Sequence, residues 1–308
     1  MSEQVKHTTP STTPSTVPST VPSTAMGTVM NTAMNTAVNT APRAVLRTVL
    51  RAVLRLWLLP VVLVLWEAGT RAADNPYFPP PTTIVVKMRE MWLTGPANRL
   101  WLSDLAVENF PPSLARLFAG WAVAGIAGIV LGIMIGRSAP LARFVDPLVH
   151  FCRAIPPPML LPLLLPLMNI GTQIQLTTIV FGVIWPVLLN TVDGARYVDR
   201  QHMETARVFG FSWGQRLWRV VLPSALPKIF AGLRLSLSLA LILMVVSELV
   251  GSTDGIGFQL RAAERAFDPP GIWSAIVVLG LLGYLLNLAF FAIERRVLSW
   301  HRAAKQTT

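Results

Sequence analysis

Cysteine is almost absent from this chain: Cys152 stands alone, so no disulfide can form within it, and its apolar surroundings predict a buried structural thiol. Histidine is nearly as scarce. The four histidines are scattered and no His-Glu-x-x-His occurs. His150 and Cys152 sit two apart, a spacing that does not share a helix face, so neither zinc chemistry nor a histidine-activated nucleophile has a foundation. No Gly-x-x-x-x-Gly-Lys-Ser/Thr is present and no lysine follows a glycine. Without that phosphate-cradling loop the chain has no ATP-hydrolysing site of its own. Charge is sparse too, at 13% of residues against roughly 25% in soluble domains. What charge there is leans basic, for a formal +11. Arginine and lysine cluster beside apolar stretches, and membrane topology accounts for that bias better than a nucleic-acid surface does.

What the chain has in abundance is apolar residues, 53% of 308 positions. They predict an all-α integral membrane protein. Residues 1–42, built of Ser, Thr, Pro, Ala and Asn in short echoes, cannot bury a core and predict a disordered tail; no charged-then-apolar-then-small pattern marks a cleaved signal. In residues 43–55, Arg43, Arg47, Arg51 and Arg55 recur every four residues among Val and Leu. That spacing predicts a basic amphipathic helix lying on anionic lipid. Residues 56–300 then carry six expected spans, at about Leu56–Gly69, Leu114–Gly136, Phe144–Leu167, Gln173–Leu189, Ile229–Val250 and Ile272–Ile293, before a short tail over 301–308. Residues 70–112 are mixed in charge and are expected to face outward.

Two spans have a distinctive grain. In the second, Gly128, Gly132 and Gly136 at four-residue steps let another helix approach closely. The third contains Pro147, Pro156, Pro157, Pro158, Pro162 and Pro166 and must be broken. Freed backbone groups need protein or water rather than lipid, so this segment should border the interior path, with Arg153, Pro156, Pro157 and Pro158 as candidate residues along it. Arg234 and Glu248 fall inside the fifth apolar run. An intramembrane charge costs about 2.5–3.5 kcal/mol at a helix centre and so marks a candidate site. Arg234 lies close enough to one end to snorkel to lipid phosphates. Glu248, near the other end, reads as a gate, a contact for an external protein, or a carboxylate solvated at the interface.

Between the fourth and fifth spans lies a polar, basic segment, residues 199–223. From Asp199 to Phe209 it has neither Pro nor Gly, which predicts a short helix ended by Gly210 in a left-handed conformation. Ser212 with Gln215 signals a second helix start, and Leu222-Pro223 is expected to stop that helix. Six spans place both termini, the Arg137–Arg143 loop and this segment on one side. Each is net positive, hence cytoplasmic.

The run Glu204-Thr205-Ala206, three residues, Gly210, nine residues, Val220-x-Leu222-Pro223 resembles the cytoplasmic coupling loop of permeases in bacterial ABC importers. Every interval of the family pattern Glu-Ala-Ala…Gly…Ile-x-Leu-Pro is kept; Thr205 stands for Ala and Val220 for Ile. The resemblance extends from about Leu59 to Trp300. Leu59-Pro60, Trp66-Glu67, Phe78-Pro79-Pro80-Pro81, Arg153-Ala154-Ile155-Pro156-Pro157, Leu188-Leu189-Asn190-Thr191, Gly232-Leu233-Arg234 and Gly255-Ile256-Gly257 are similar to the permeases for nitrate, taurine, alkanesulfonates and bicarbonate. It implies a type I importer permease fold in the inner membrane, working as a homodimer. It also implies a cytoplasmic ATP-binding subunit that hydrolyses the ATP, and an external substrate-binding protein that selects the substrate.

Two other classes compete. A secondary transporter driven by an ion gradient should show two similar halves and mid-membrane acidic or histidine residues, and neither is evident. A six-helix scaffold or receptor would have no use for the helix-Gly-helix insertion.

Overall fold

The structure is a computed structural model that describes residues 57–168 and 171–299. The tail over 1–42, the basic stretch over 43–55 and the end over 301–308 lie outside the described residues. No β-strand occurs among the described residues. Contacts divide the chain into a unit ending at Leu65 and a second unit from Trp66 onward. The described part of the first unit is the beginning of helix α1 (Leu58–Ala73), where Leu59, Val64 and Leu65 are exposed.

In the second unit, α1 ends with Glu67 acting on the helix that follows, α2 (Pro81–Trp92). The Glu67 carboxylate accepts from Thr82 N (3.1 Å) and Thr82 Oγ1 (2.7 Å), supplying an acceptor to the open amides at the start of α2. Helix α3 (Asp104–Arg137) starts where Ser103 Oγ accepts from Ala106 N at 3.2 Å. It begins ten residues before the expected Leu114 and runs through Pro111 and Pro112. The carbonyls those prolines release belong to Val107 and Glu108, both exposed, so the helix continues.

The third expected span is interrupted, as its prolines require. Helix α4 (Ala139–Ala154) gives way to a 3-10 turn (Pro157–Leu160) and the single turn α5 (Leu161–Leu164). Next come α6 (Thr172–Arg196), α7 (Arg200–Val208), α8 (Trp213–Arg216), a π turn (Leu217–Val221) and α9 (Leu222–Gly251). Helices α10 (Ile256–Arg265) and α11 (Pro269–Val297) complete the order. Among the described residues four stretches are long and apolar enough to cross a membrane: Ala97–Arg137, Thr172–Arg196, Trp213–Gly251 and Pro269–Val297. They contain the second, fourth, fifth and sixth expected spans.

Pro223 does not stop its helix. Leu222 N donates to Leu217 O, five residues back, and this wider turn lies directly before the proline, where an α-helical carbonyl four residues back would meet its ring. The result is one helical rod from Trp213 to Gly251.

Helix α6 packs between α3 and α9. The glycine steps of α3 set that spacing: a Cβ at Gly132 would lie 2.6 Å from Thr191 Cβ and 2.9 Å from Leu188 O, and one at Gly136 would lie 2.8 Å from Val192 O. On the other side of α6, a Cβ at Gly232 of α9 would lie 2.9 Å from Pro186 O. The core between the three helices is Leu117, Ile179, Val183, Leu237 and Met244, with Phe290 added from α11.

Candidate functional site

Segment 199–223 forms a compact two-helix element. Asp199 caps α7 by accepting from Gln201 N at 2.9 Å. On the exposed face Arg200 Nε donates to Glu204 Oε1 at 2.7 Å, a pair one helical turn apart, while Thr205 Oγ1 donates to Gln201 O at 2.8 Å. Ala206 is the buried residue of this helix, at 4% exposure.

The exit from α7 is a Schellman motif. Phe211 N donates to Ala206 O (2.9 Å) and Gly210 N to Arg207 O (3.0 Å), with Gly210 at φ +68°. A Cβ at Gly210 would meet nothing within 4 Å, so the requirement for glycine is conformational and not steric. The second helix then opens on a complete capping box: Gln215 N donates to Ser212 Oγ (3.3 Å) and Ser212 N to Gln215 Oε1 (2.9 Å).

Around this bend Tyr197, Val208, Phe209, Trp213 and Trp218 are exposed. Such a density of large apolar side chains on a polar segment is the chemistry of a contact surface. A cleft of about 610 Å³ lies beneath, lined by Tyr197, His202, Phe209, Phe211, Arg219 and Pro223 among others. Arg219 covers the Phe211 ring at 5.7 Å. Glu204, Thr205, Ala206, Gly210, Val220, Leu222 and Pro223 therefore all fall on one continuous element, in which Thr205, Ala206, Val220 and Pro223 line the cleft.

The second concentration of polar groups is inside the bundle. Glu248 on α9 is 1% exposed, so of the three readings open for it the carboxylate solvated at the interface does not hold. Its partner is Arg116 on α3, 6% exposed, which pattern reading passed over. Arg116 Nη1 donates to Glu248 Oε1 at 3.0 Å, and Arg116 also pairs with the Asp254 carboxylate. Ser113 Oγ donates to the same Glu248 carboxylate (2.7 Å) and accepts from Ile256 N (2.9 Å), while Gly257 N donates to Glu248 Oε2 at 2.9 Å. Asn109 Oδ1 accepts from Gly255 N at 2.8 Å.

The Gly255-Ile256-Gly257 motif is thereby explained. Gly255 has φ +111° and a Cβ there would lie 2.5 Å from the Glu248 carboxyl, so only glycine lets the loop fold over this carboxylate. Arg234 likewise finds protein and not lipid. Its guanidinium pairs with Glu294 on α11 and lies 5.2 Å from the Phe291 ring centroid. Both pairs join a basic residue on one helix to an acid on another, Arg116 to Glu248 and Arg234 to Glu294, across separations that no local pattern covers.

Arg153, Pro156 and Pro158 are exposed, and Pro157 is half-buried against Gly182. None of the four touches Glu248 through a hydrogen bond or ion pair among the described residues, so the candidate path residues divide into two places. Beyond the break, Met159 (71%), Leu163 (61%) and Leu167 (73%) present one exposed apolar row. Cys152 is half-buried rather than buried, since its neighbours Phe151 and Arg153 face outward on α4.

Residues 128–299 match the family model described as "binding-protein-dependent transport system inner membrane component". The chain is similar to the putative aliphatic sulfonates transport permease protein SsuC of Bacillus subtilis, with 30% identity over 80% of this chain and 87% of that protein. It is also similar to the bicarbonate transport system permease protein CmpB of Synechococcus elongatus, with 34% identity over 77% of this chain and 86% of that protein. In fold it resembles the inward-facing MetNI methionine ABC transporter, with a TM-score of 0.58 at 22% identity over 64% of this chain and 99% of the matched chain.

Proposed function

This chain belongs to the family of binding-protein-dependent transport inner membrane components, and from that premise we propose that it passes a small anion through a homodimeric pore driven by a separate ATPase. It is a permease subunit of an ABC importer with the type I permease fold. The proposal adds the substrate class, the docking element and the orientation. Permeases for aliphatic sulfonates, taurine, bicarbonate and nitrate among the relatives support a small anion of that kind. An external binding protein would deliver it, and both termini would be cytoplasmic. The chain itself would hydrolyse no ATP and bind no cofactor.

The observation that carries the proposal is the rigid bend at Gly210 joined to an uninterrupted helical rod. Helix α7, with Glu204 on its exposed face, is shaped to sit in a groove of the ATPase. Whatever moves it moves α8, and α8 continues through the π turn into α9. Displacement at residues 199–212 is thus delivered along the rod to Glu248, where α9 is fastened to α3.

Gly210→Val tests the coupling role. A β-branched residue at positive φ costs about 1–2 kcal/mol and removes the bend without filling any space. The variant should reach the membrane at normal abundance yet lose both ATPase copurification and uptake. Normal uptake with the ATPase still bound would overturn the assignment.

A further inference from the structure

Along the outside of α3, between it and the Trp213–Trp218 turn, runs an apolar groove of about 720 Å³. Ile129, Val130, Ile133 and Met134 form its floor, Leu217 and Leu222 one wall. From Ile129 to Arg137 the floor extends about 12 Å at 1.5 Å per residue, most of one leaflet of a hydrocarbon core about 30 Å thick. At its end the groove changes character. Arg137, Trp213 and Trp218 stand at the mouth, with both indoles exposed.

A second, smaller cavity of about 40 Å³ adjoins the mouth. It shares Arg137, Trp213 and Leu217 and adds Arg216. No Asp or Glu lines either space. Arg137 gives one bond to Ala195 O at 3.2 Å. The Arg216 guanidinium has no hydrogen-bonding or ion-pair partner among the described residues, and its Nε is buried and unsatisfied. Two guanidinium groups without a carboxylate, at the mouth of an apolar slot and flanked by tryptophans, call for an anion attached to a hydrocarbon chain.

We propose that this groove binds a phospholipid with an anionic headgroup, its acyl chain along Ile129–Met134 and its phosphate between Arg137 and Arg216. The π turn is part of the site, because it carries Leu217 and Trp218 toward α3. A lipid held there touches the rod that links the coupling element to α9. The inference rests on the cytoplasmic placement proposed above for residues 199–223, where the leaflet is anionic.

The test uses the full chain purified with its ATPase and exposed to equal amounts of dioleoyl phosphatidylglycerol and dioleoyl phosphatidylcholine, with bound lipid read by native mass spectrometry. Phosphatidylglycerol should be retained in preference. Arg137→Gln and Arg216→Gln should each weaken that preference roughly fivefold, Arg216→Lys should keep most of it, and Arg99→Gln, in the 3-10 turn (Ala97–Arg99) that precedes the opposite end of α3, should leave it unchanged. A photoactivatable phosphatidylglycerol on the unaltered protein gives a readout independent of any variant, with label expected in residues 129–141 or 213–222. Equal retention of both lipids, label elsewhere, or crosslinking of the groove floor, Ile129 to Met134, to the ATPase or a second copy of the chain would each overturn the proposal. None of these readouts requires transport, so failure of the coupling-loop test counts against the placement, and equal lipid retention counts against the groove.

Discussion

Glu248 and Arg116 are the residues whose single loss should be felt most, because losing Arg116 leaves Glu248 buried without a cation, and losing Glu248 leaves Arg116 with only the half-exposed Asp254 carboxylate. Breaking a buried pair costs about 3–5 kcal/mol, whereas replacing both partners by apolar side chains is often close to neutral. Glu248→Ala should therefore lower the thermal midpoint of the detergent-solubilised protein sharply, and Arg116→Met with Glu248→Met should recover most of the loss. A double variant as unstable as the single one would mean that the amides of Ile256 and Gly257 need the carboxylate in its own right. The acid was legible in the sequence as an intramembrane charge, but its partner was not. The two residues are 132 positions apart, and no local pattern joins them. Gly210 is the opposite case. Its bend follows from neighbours within five residues, so the sequence alone specifies the Schellman closure that the structure contains.

At the level of elements the same division holds. The capping box at Ser212, the glycine seam of α3 and the break in the third span were all readable, because each is enforced by one short stretch of residue types. Pro223 was misread. Proline usually ends a helix, but here the π turn widens the preceding backbone and the rod continues, a cooperative adjustment that propensity does not encode. The exposed row Met159, Leu163 and Leu167 follows the break, and on the homodimeric pore proposed above it would face the path. In a Cys152→Ala background, single cysteines at these positions should react with a small water-soluble thiol reagent, and their rates should change on adding ATP and the binding protein. Cysteines at Val123 and Ile126, exposed on the outside of α3, should remain unlabelled throughout. Silence at all three row positions in every state would move the path away from this segment.

For the whole molecule, the Ser, Thr, Pro, Ala and Asn composition of residues 1–40 predicts that their removal leaves uptake intact at unchanged membrane abundance. Uptake lost by that deletion would assign the tail a role that its composition does not suggest. The permease proper is built on the α3–α6–α9 packing, and its order of synthesis gives the Arg116–Glu248 pair a temporal meaning. Arg116 is made first, and its carboxylate follows 132 residues later, which at about 5–20 residues per second is on the order of ten seconds. During that interval α3 must be handed to the bilayer carrying an unneutralised guanidinium. Helix α6 is complete well before α9 and can close the glycine seam with α3 in the meantime. The insertion machinery then has only to deliver α9, with Glu248 near its trailing end, into a half-built bundle whose vacant charge is already waiting. A chain truncated before the fifth span would thus keep an Arg116 guanidinium without its Glu248 partner inside the bundle.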